Sequence, residues 1–243
     1  MQFDIVTIFP EAFASYFDTS ILKRAQKKKL VDIRVHNLRD YTTDKHKTVD
    51  DNPYGGGAGM VLKVEPLYRA VSAIQKKAKS RKRNARCILL AASGKQFDQR
   101  MAEKFSKLDQ IIFICGHYEG VDERVMEFVD EAVSVGPYVL TGGELPTMTI
   151  VDAVTRLIPG VLGNPRSLEE ESFSITESKK HRITESQKNL KSRISNLKSA
   201  MEYPHYTRPE SFSPRKGVHW KVPRVLLGGN HQKIKEWREK HMK

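Results

Sequence analysis

The chain has few cysteines, few tryptophans and no long apolar runs, and each shortage excludes something. Only two cysteines and two tryptophans occur among its 243 residues, and no hydrophobic stretch approaches the length of a membrane span. Cys87 and Cys115 both lie inside apolar, strand-like runs, so buried free thiols are expected rather than a disulfide or a metal pair. The eight histidines keep no zinc-ligand spacing with them. The N-terminal residues open on a strand pattern without the layout of a secretory leader, and a cytoplasmic protein is expected. The common nucleotide-binding signatures are missing too. The cluster Gly55-Gly56-Gly57-Ala58-Gly59-Met60 fails GxGxxG because Met60 stands where the last glycine should be, and it is not a P-loop.

Acidic residues are scarce in one third of the chain. Residues 174–243 hold 17 Lys and Arg against 6 Asp and Glu, whereas residues 1–173 hold 25 against 23. Most of the net charge of +13 therefore sits toward the C-terminus, where a polyanion such as a nucleic acid is the natural partner. A solvated basic surface is the alternative reading.

Apolar segments alternate with amphipathic ones. Phe3–Phe9, Val31–His36, Cys87–Ala92, Ile111–Cys115 and Ala132–Val135 read as strands. Helices are predicted where Phe13, Phe17, Ile21 and Ala25 recur, over Pro66–Ala78, through Phe97, Met101, Phe105 and Leu108, over Val121–Val129, and over Pro146–Leu157. This alternation predicts an α/β fold with a mostly parallel sheet and helices on both faces. Glycine-marked loops near Gly94, Gly116 and Gly136 leave successive strands on one edge, where such sheets bind ligands. The helix after Pro146 is apolar on more than one face, which suits a place in the core or against a second subunit. Residues 174–202, rich in Ser, Thr, Lys and Glu, read as an interdomain linker. They carry one possible helix through Leu190, Ile194, Leu197 and Met201.

Polar groups near the glycine loops are Glu119, Arg156, Glu171 and His117. On their own such groups are more often ion pairs than catalysts. Together with their surroundings they are recognisable. Gly116–Val125 (GHYEGVDERV), Val135–Pro146 (VGPYVLTGGELP), Arg156–Asn164 (RLIPGVLGN) and Pro204–Glu210 (PHYTRPE) resemble the bacterial tRNA (guanine-N1)-methyltransferase family, TrmD. Thr48–Met60 and Val225–His231 match it as well, so the resemblance runs in order over nearly the whole chain.

That resemblance implies a SPOUT-class fold with a trefoil knot late in the catalytic domain, followed by a small, mainly helical C-terminal domain. The expected division is a catalytic domain over 1–173, a linker over 174–202 and a basic tRNA-binding domain over 203–243. It implies a homodimer with active sites at the subunit interface and S-adenosyl-L-methionine as methyl donor. By position, the donor-binding residues are Leu90, Gly116, Tyr118, Glu119, Val135, Gly136, Pro137, Tyr138, Val139, Leu140, Gly142, Gly143 and Pro146. The implied reaction is methyl transfer to N1 of guanosine-37, 3′ of the tRNA anticodon. Glu171 is placed as general base at N1–H and Arg156 as the cation opposite O6. A magnesium ion is also expected from the resemblance, without a ligand set. The chain departs from the family at Glu171, where Asp is usual, at Pro137, which replaces an Asp, and in the greater length of the linker.

Overall fold

The computed structural model describes residues 1–57, 59–163 and 203–241. Five parallel strands form the central sheet: β1 (Gln2–Thr7), β2 (Asp32–Asn37), β5 (Ala85–Gln96), β6 (Gln110–Cys115) and β7 (Glu131–Ser134), in the order β2-β1-β6-β5-β7. Two short antiparallel ladders accompany it, β3 (Asp50–Asp51) with β4 (Val61–Leu62) and β8 (Ser211–Arg215) with β9 (Val218–Lys221).

Period-two alternation divides each apolar strand between two cores. Ile111, Phe113 and Cys115 face one side with Phe3, Ile5, Ile88 and Leu90. Ile112 and Ile114 face the other with Val6, Cys87 and Leu89. Helix α3 (Val64–Ser80) covers the second face through Leu67, Ala70, Val71 and Ile74. The first is covered by α1 (Ala14–Phe17), α2 (Ser20–Lys27), α4 (Gln99–Phe105) and α5 (Glu144–Arg156). Helices on both faces explain why the two inner strands β1 and β6 are buried throughout, while the edge strand β2 is partly exposed.

Strand β5 takes a detour that shapes the site. It pairs with β7 as far as Leu90, leaves the ladder, and rejoins it at Lys95 opposite Val133. Residues 91–94 are thus an excursion held to β7 at both ends.

Three segments differ from expectation. The run from Phe13 to Ala25 is two short helices rather than one, because Thr19 is extended and Ser20 has φ 43°. Val121–Val129 contains only a 3₁₀ turn, Glu123–Glu127, started by the Asp122 carboxylate, which accepts from the Arg124 N–H at 3.0 Å. Beyond residue 203, the β8–β9 hairpin precedes α6 (Arg224–Leu227) and α7 (His231–Lys240), so strands join the expected helices. The hairpin docks its Phe212 and Trp220 on Tyr68 of α3, with ring centroids 5.2 and 5.9 Å apart. Helix α5 lies mostly in the core, with Leu145 and Thr149 exposed on its outer side. The proposed linker helix through Leu190–Met201 lies outside the described residues.

Candidate active site

The carboxyl ends of β5, β6 and β7 lead into loops that enclose a cavity of about 220 Å³. Its position follows the general rule for open parallel sheets, where ligands bind beyond the strands' carboxyl ends. The apolar walls include Leu90, Val133, Val135, Val139, Leu140 and Pro146, and the Gly116–Val121 and Gly136–Gly143 loops supply main chain.

Close backbone packing joins those two loops. The Gly143 N–H donates to the Gly116 carbonyl at 2.8 Å, and Gly142 bridges to His117. A Cβ on Gly143 would lie 2.6 Å from Cys115 Cα and 3.0 Å from Gly116 N, a separation real side chains do not tolerate. Gly143 also caps α5, and its carbonyl accepts from Thr147 N–H at 2.9 Å. Glycine is needed here for approach rather than for an unusual φ, which is −80°.

The first residue of α5 ties the site to the sheet. Buried Glu144 Oε1 accepts from the Thr7 hydroxyl at 2.7 Å, at the end of β1, and its charge suits a helix N-terminus. Glu144 Oε2 lies 4.0 Å from His117 Nδ1, within Coulomb range but too far for a hydrogen bond. His117 Nδ1 is buried in the cavity wall without a hydrogen-bond partner. Beside it, Tyr118 adopts φ 58°, a conformation uncommon outside glycine that tends to mark ligand sites.

An extended strap, Tyr203–Pro209, crosses to this site from the C-terminal side. Its anchor is buried. Arg124 forms a bidentate pair with Asp122, both bonds 2.8 Å, and donates to the carbonyls of Thr207 and Pro209 at 2.7 Å each. Asp122 Oδ2 also accepts from Thr207 N–H at 2.7 Å. The His205 carbonyl accepts from Glu123 N–H at 2.8 Å, and His205 is among the residues that line the cavity. Burial holds the His205 imidazole below its ordinary pKa; Glu119 and Glu123 oppose that shift and Arg238 adds to it.

A model of the family described as tRNA (Guanine-1)-methyltransferase TrmD matches residues 1–243. The chain belongs to this family. A relative from Dictyoglomus turgidum named tRNA (guanine-N(1)-)-methyltransferase is 50% identical over 240 residues, spanning 99% of this chain and 84% of its own length. A Bacillus cereus relative of the same name is 47% identical over 241 residues, covering 99% and 86%. The crystal structure of tRNA (m1G37) methyltransferase from Aquifex aeolicus is similar, with 33% identity and a TM-score of 0.62 over 98% of this chain and 87% of that one. The sheet and its helices are the SPOUT methyltransferase architecture of the TrmD family.

Most of the residues expected from the TrmD resemblance meet around the cavity. Leu90, Gly116, Tyr118, Glu119, Val135, Gly136, Tyr138, Val139, Leu140, Gly142, Gly143 and Pro146 all line it. Pro137 sits between two lining residues without lining it. Arg156 ends α5, ten residues beyond Pro146, or about 15 Å along the helix axis, and is not among the lining residues. Glu171 lies outside the described residues. The sequence assigned no role to His205, nor to Glu144 and Thr7; PHYTRPE marks the segment around His205, but its place at the cavity is fixed by the strap's anchor and not by a local pattern.

The cavity fits a nucleoside-bearing methyl donor. Apolar residues such as Leu90, Val133 and Pro146 share its walls with polar ones such as Glu119 and Ser134, and an unpartnered imidazole nitrogen, His117 Nδ1, is buried there. A magnesium site does not fit in the same way: among the described residues, no three His, Cys, Asp or Glu side chains gather to hold a metal.

Proposed function

We propose that this protein transfers a methyl group from S-adenosylmethionine to N1 of guanosine-37, the nucleotide 3′ of the anticodon, in tRNA. The observation that carries the reading is the meeting of the TrmD-matching loops around one cavity at the carboxyl ends of β5, β6 and β7. The donor, when bound, supplies an electrophilic methyl group. The residues of the chain hold it and prepare the base. Main-chain groups of the Gly116–Val121 and Gly136–Gly143 loops read the polar edges of the adenosine, and Leu90, Val135 and Leu140 cover its faces.

Guanine N1 carries a proton at neutral pH and is a poor nucleophile. Glu171 takes that proton as general base, and the charge that develops on O6 is met by Arg156. Helix geometry supports assigning Arg156 to a second copy's cavity, since its own lies about 15 Å back along α5. The reading is therefore a homodimer whose sites draw on both subunits. The exposed Tyr138, Val139 and Leu145 beside the cavity mouth, 56%, 77% and 59% accessible, suit such an interface. The close passage of the Gly136–Gly143 loop against Gly116 and His117 is read as part of the trefoil threading. Residues 1–173 bind donor, 174–202 connect, and 203–243, with the positive charge, hold the RNA through its phosphates in the cytoplasm.

The test is transfer of labelled methyl from S-adenosylmethionine to a tRNA with guanosine 3′ of its anticodon, followed by mapping of the modified base. Label on guanine N1 is expected. No incorporation into that tRNA by the folded protein, with magnesium supplied, overturns the reading.

A further inference from the structure

His205 is the one described residue beyond position 163 that lines the cavity. It stands at the end of a series of ring contacts. The Arg238 guanidinium lies 4.5 Å over the Tyr203 ring, and the Tyr203 ring lies 4.7 Å from the His205 imidazole, tilted by 40°. Arg238 is itself fixed, donating to the carbonyls of Gly55 and Gly56. The series thus runs from the glycine loop inward and ends in the wall of the cavity. Structurally this is costly. A histidine is partly withdrawn from water, and the Tyr203–Pro209 strap is bolted down by the buried Arg124–Asp122 pair. The strap's own hydrogen bond at this residue is made by the His205 carbonyl, which accepts from Glu123 N–H, and not by the imidazole.

We propose that His205 is the stacking residue for the purine that leaves the RNA loop. The inference rests on the methyltransferase reading above and names the group that receives the target base. A base extruded from its stack loses its neighbours and needs an aromatic face in return. A ring braced from behind by Tyr203 and Arg238 offers one without having to be ordered first. Burial lowers the imidazole's pKa from its ordinary value, which favours the uncharged ring as the face for a base.

The experiment measures binding of an anticodon stem-loop RNA carrying either guanosine or an abasic ribose 3′ of the anticodon, with S-adenosylhomocysteine present. The intact protein should prefer the guanosine form by about 5- to 140-fold, the range expected for one stacked base. His205→Ala should cut that preference by at least about 5-fold, leaving what the contacts of Glu171 and Arg156 supply, with affinity for the abasic RNA and for S-adenosylhomocysteine near wild type. His205→Phe should retain it, because the aromatic face survives. Loss of donor affinity in His205→Ala with the guanosine preference intact overturns the proposal in favour of a donor contact. Equal loss in His205→Phe and His205→Ala overturns it too. If the intact protein methylates tRNA but His205→Ala keeps the preference, the stacking role alone fails. If the intact protein neither methylates tRNA nor prefers guanosine, the methyltransferase reading fails with it.

Discussion

Gly143→Ala is the most exacting perturbation of the cavity. The added methyl would stand 2.6 Å from Cys115 Cα and 3.0 Å from Gly116 N. Ordinary carbon contacts are about 3.5–4.0 Å, so roughly 1 Å must be found. Neither neighbour is a flexible side chain. Cys115 ends β6, buried between two cores, and Gly116 is held by the Gly143 N–H itself. Relief must come from moving the α5 start away from β6, which breaks that 2.8 Å bond and strains the Glu144–Thr7 contact. Overpacking of this kind costs about 1–3 kcal/mol. Placed wholly on the donor-binding conformation, that is about a 5- to 140-fold loss of affinity. Calorimetry with S-adenosylmethionine, beside a thermal melt, reads both effects. Gly163→Ala is the control, because a Cβ there meets nothing within 4 Å. Wild-type affinity and melting for Gly143→Ala, or the same loss for Gly163→Ala, would refute the argument from close approach.

Further outcomes follow from the same geometry. Arg124→Met leaves Asp122, fully buried, without its cation; urea unfolding should show a loss of about 3–5 kcal/mol, and a change within error of zero would sink the anchor's role. Burial raises both cysteine thiols far above their ordinary range, the nearby charges of Asp130 and Glu144 adding to it, so iodoacetamide at pH 8 should label neither in the folded protein and both in urea. Glu171→Gln should lower turnover by about 10²–10⁴ and Arg156→Ala by about 10²–10³ with donor affinity little changed; near wild-type rates would remove those roles.

What the sequence disclosed depended on range. Strands β1, β5 and β6 were readable because the apolar runs around Ile5, Ile88 and Ile112 are buried on both faces and carry their own signal. The clustering of the Gly94, Gly116 and Gly136 loops was readable from the alternation of strands and helices. The break at Thr19–Ser20 was not, since it is a backbone choice that side-chain periodicity does not encode. The hairpin Ser211–Lys221 was hidden by its mixed composition, in which Pro214 and Gly217 dilute the strand pattern. His205 was illegible for a different reason. Its place depends on Arg124 and Asp122, more than 80 positions away, and no local pattern reports a pairing at that separation.

The excursion of β5 between Leu90 and Lys95 gives the cavity one fixed jamb. Because the same strand grips β7 before and after it, that side cannot swing without parting the ladder at two places. The opposite leaf, the span around Tyr138 and Val139, is exposed, and its hydrogen bonds lie at its ends, Gly136 with the Ser134 hydroxyl and a latch at Gly143, so admission and release of a ligand are expected there. Substitutions that alter the residence time of the donor should gather on that leaf and its latch, and seldom on Ala91 and Ala92.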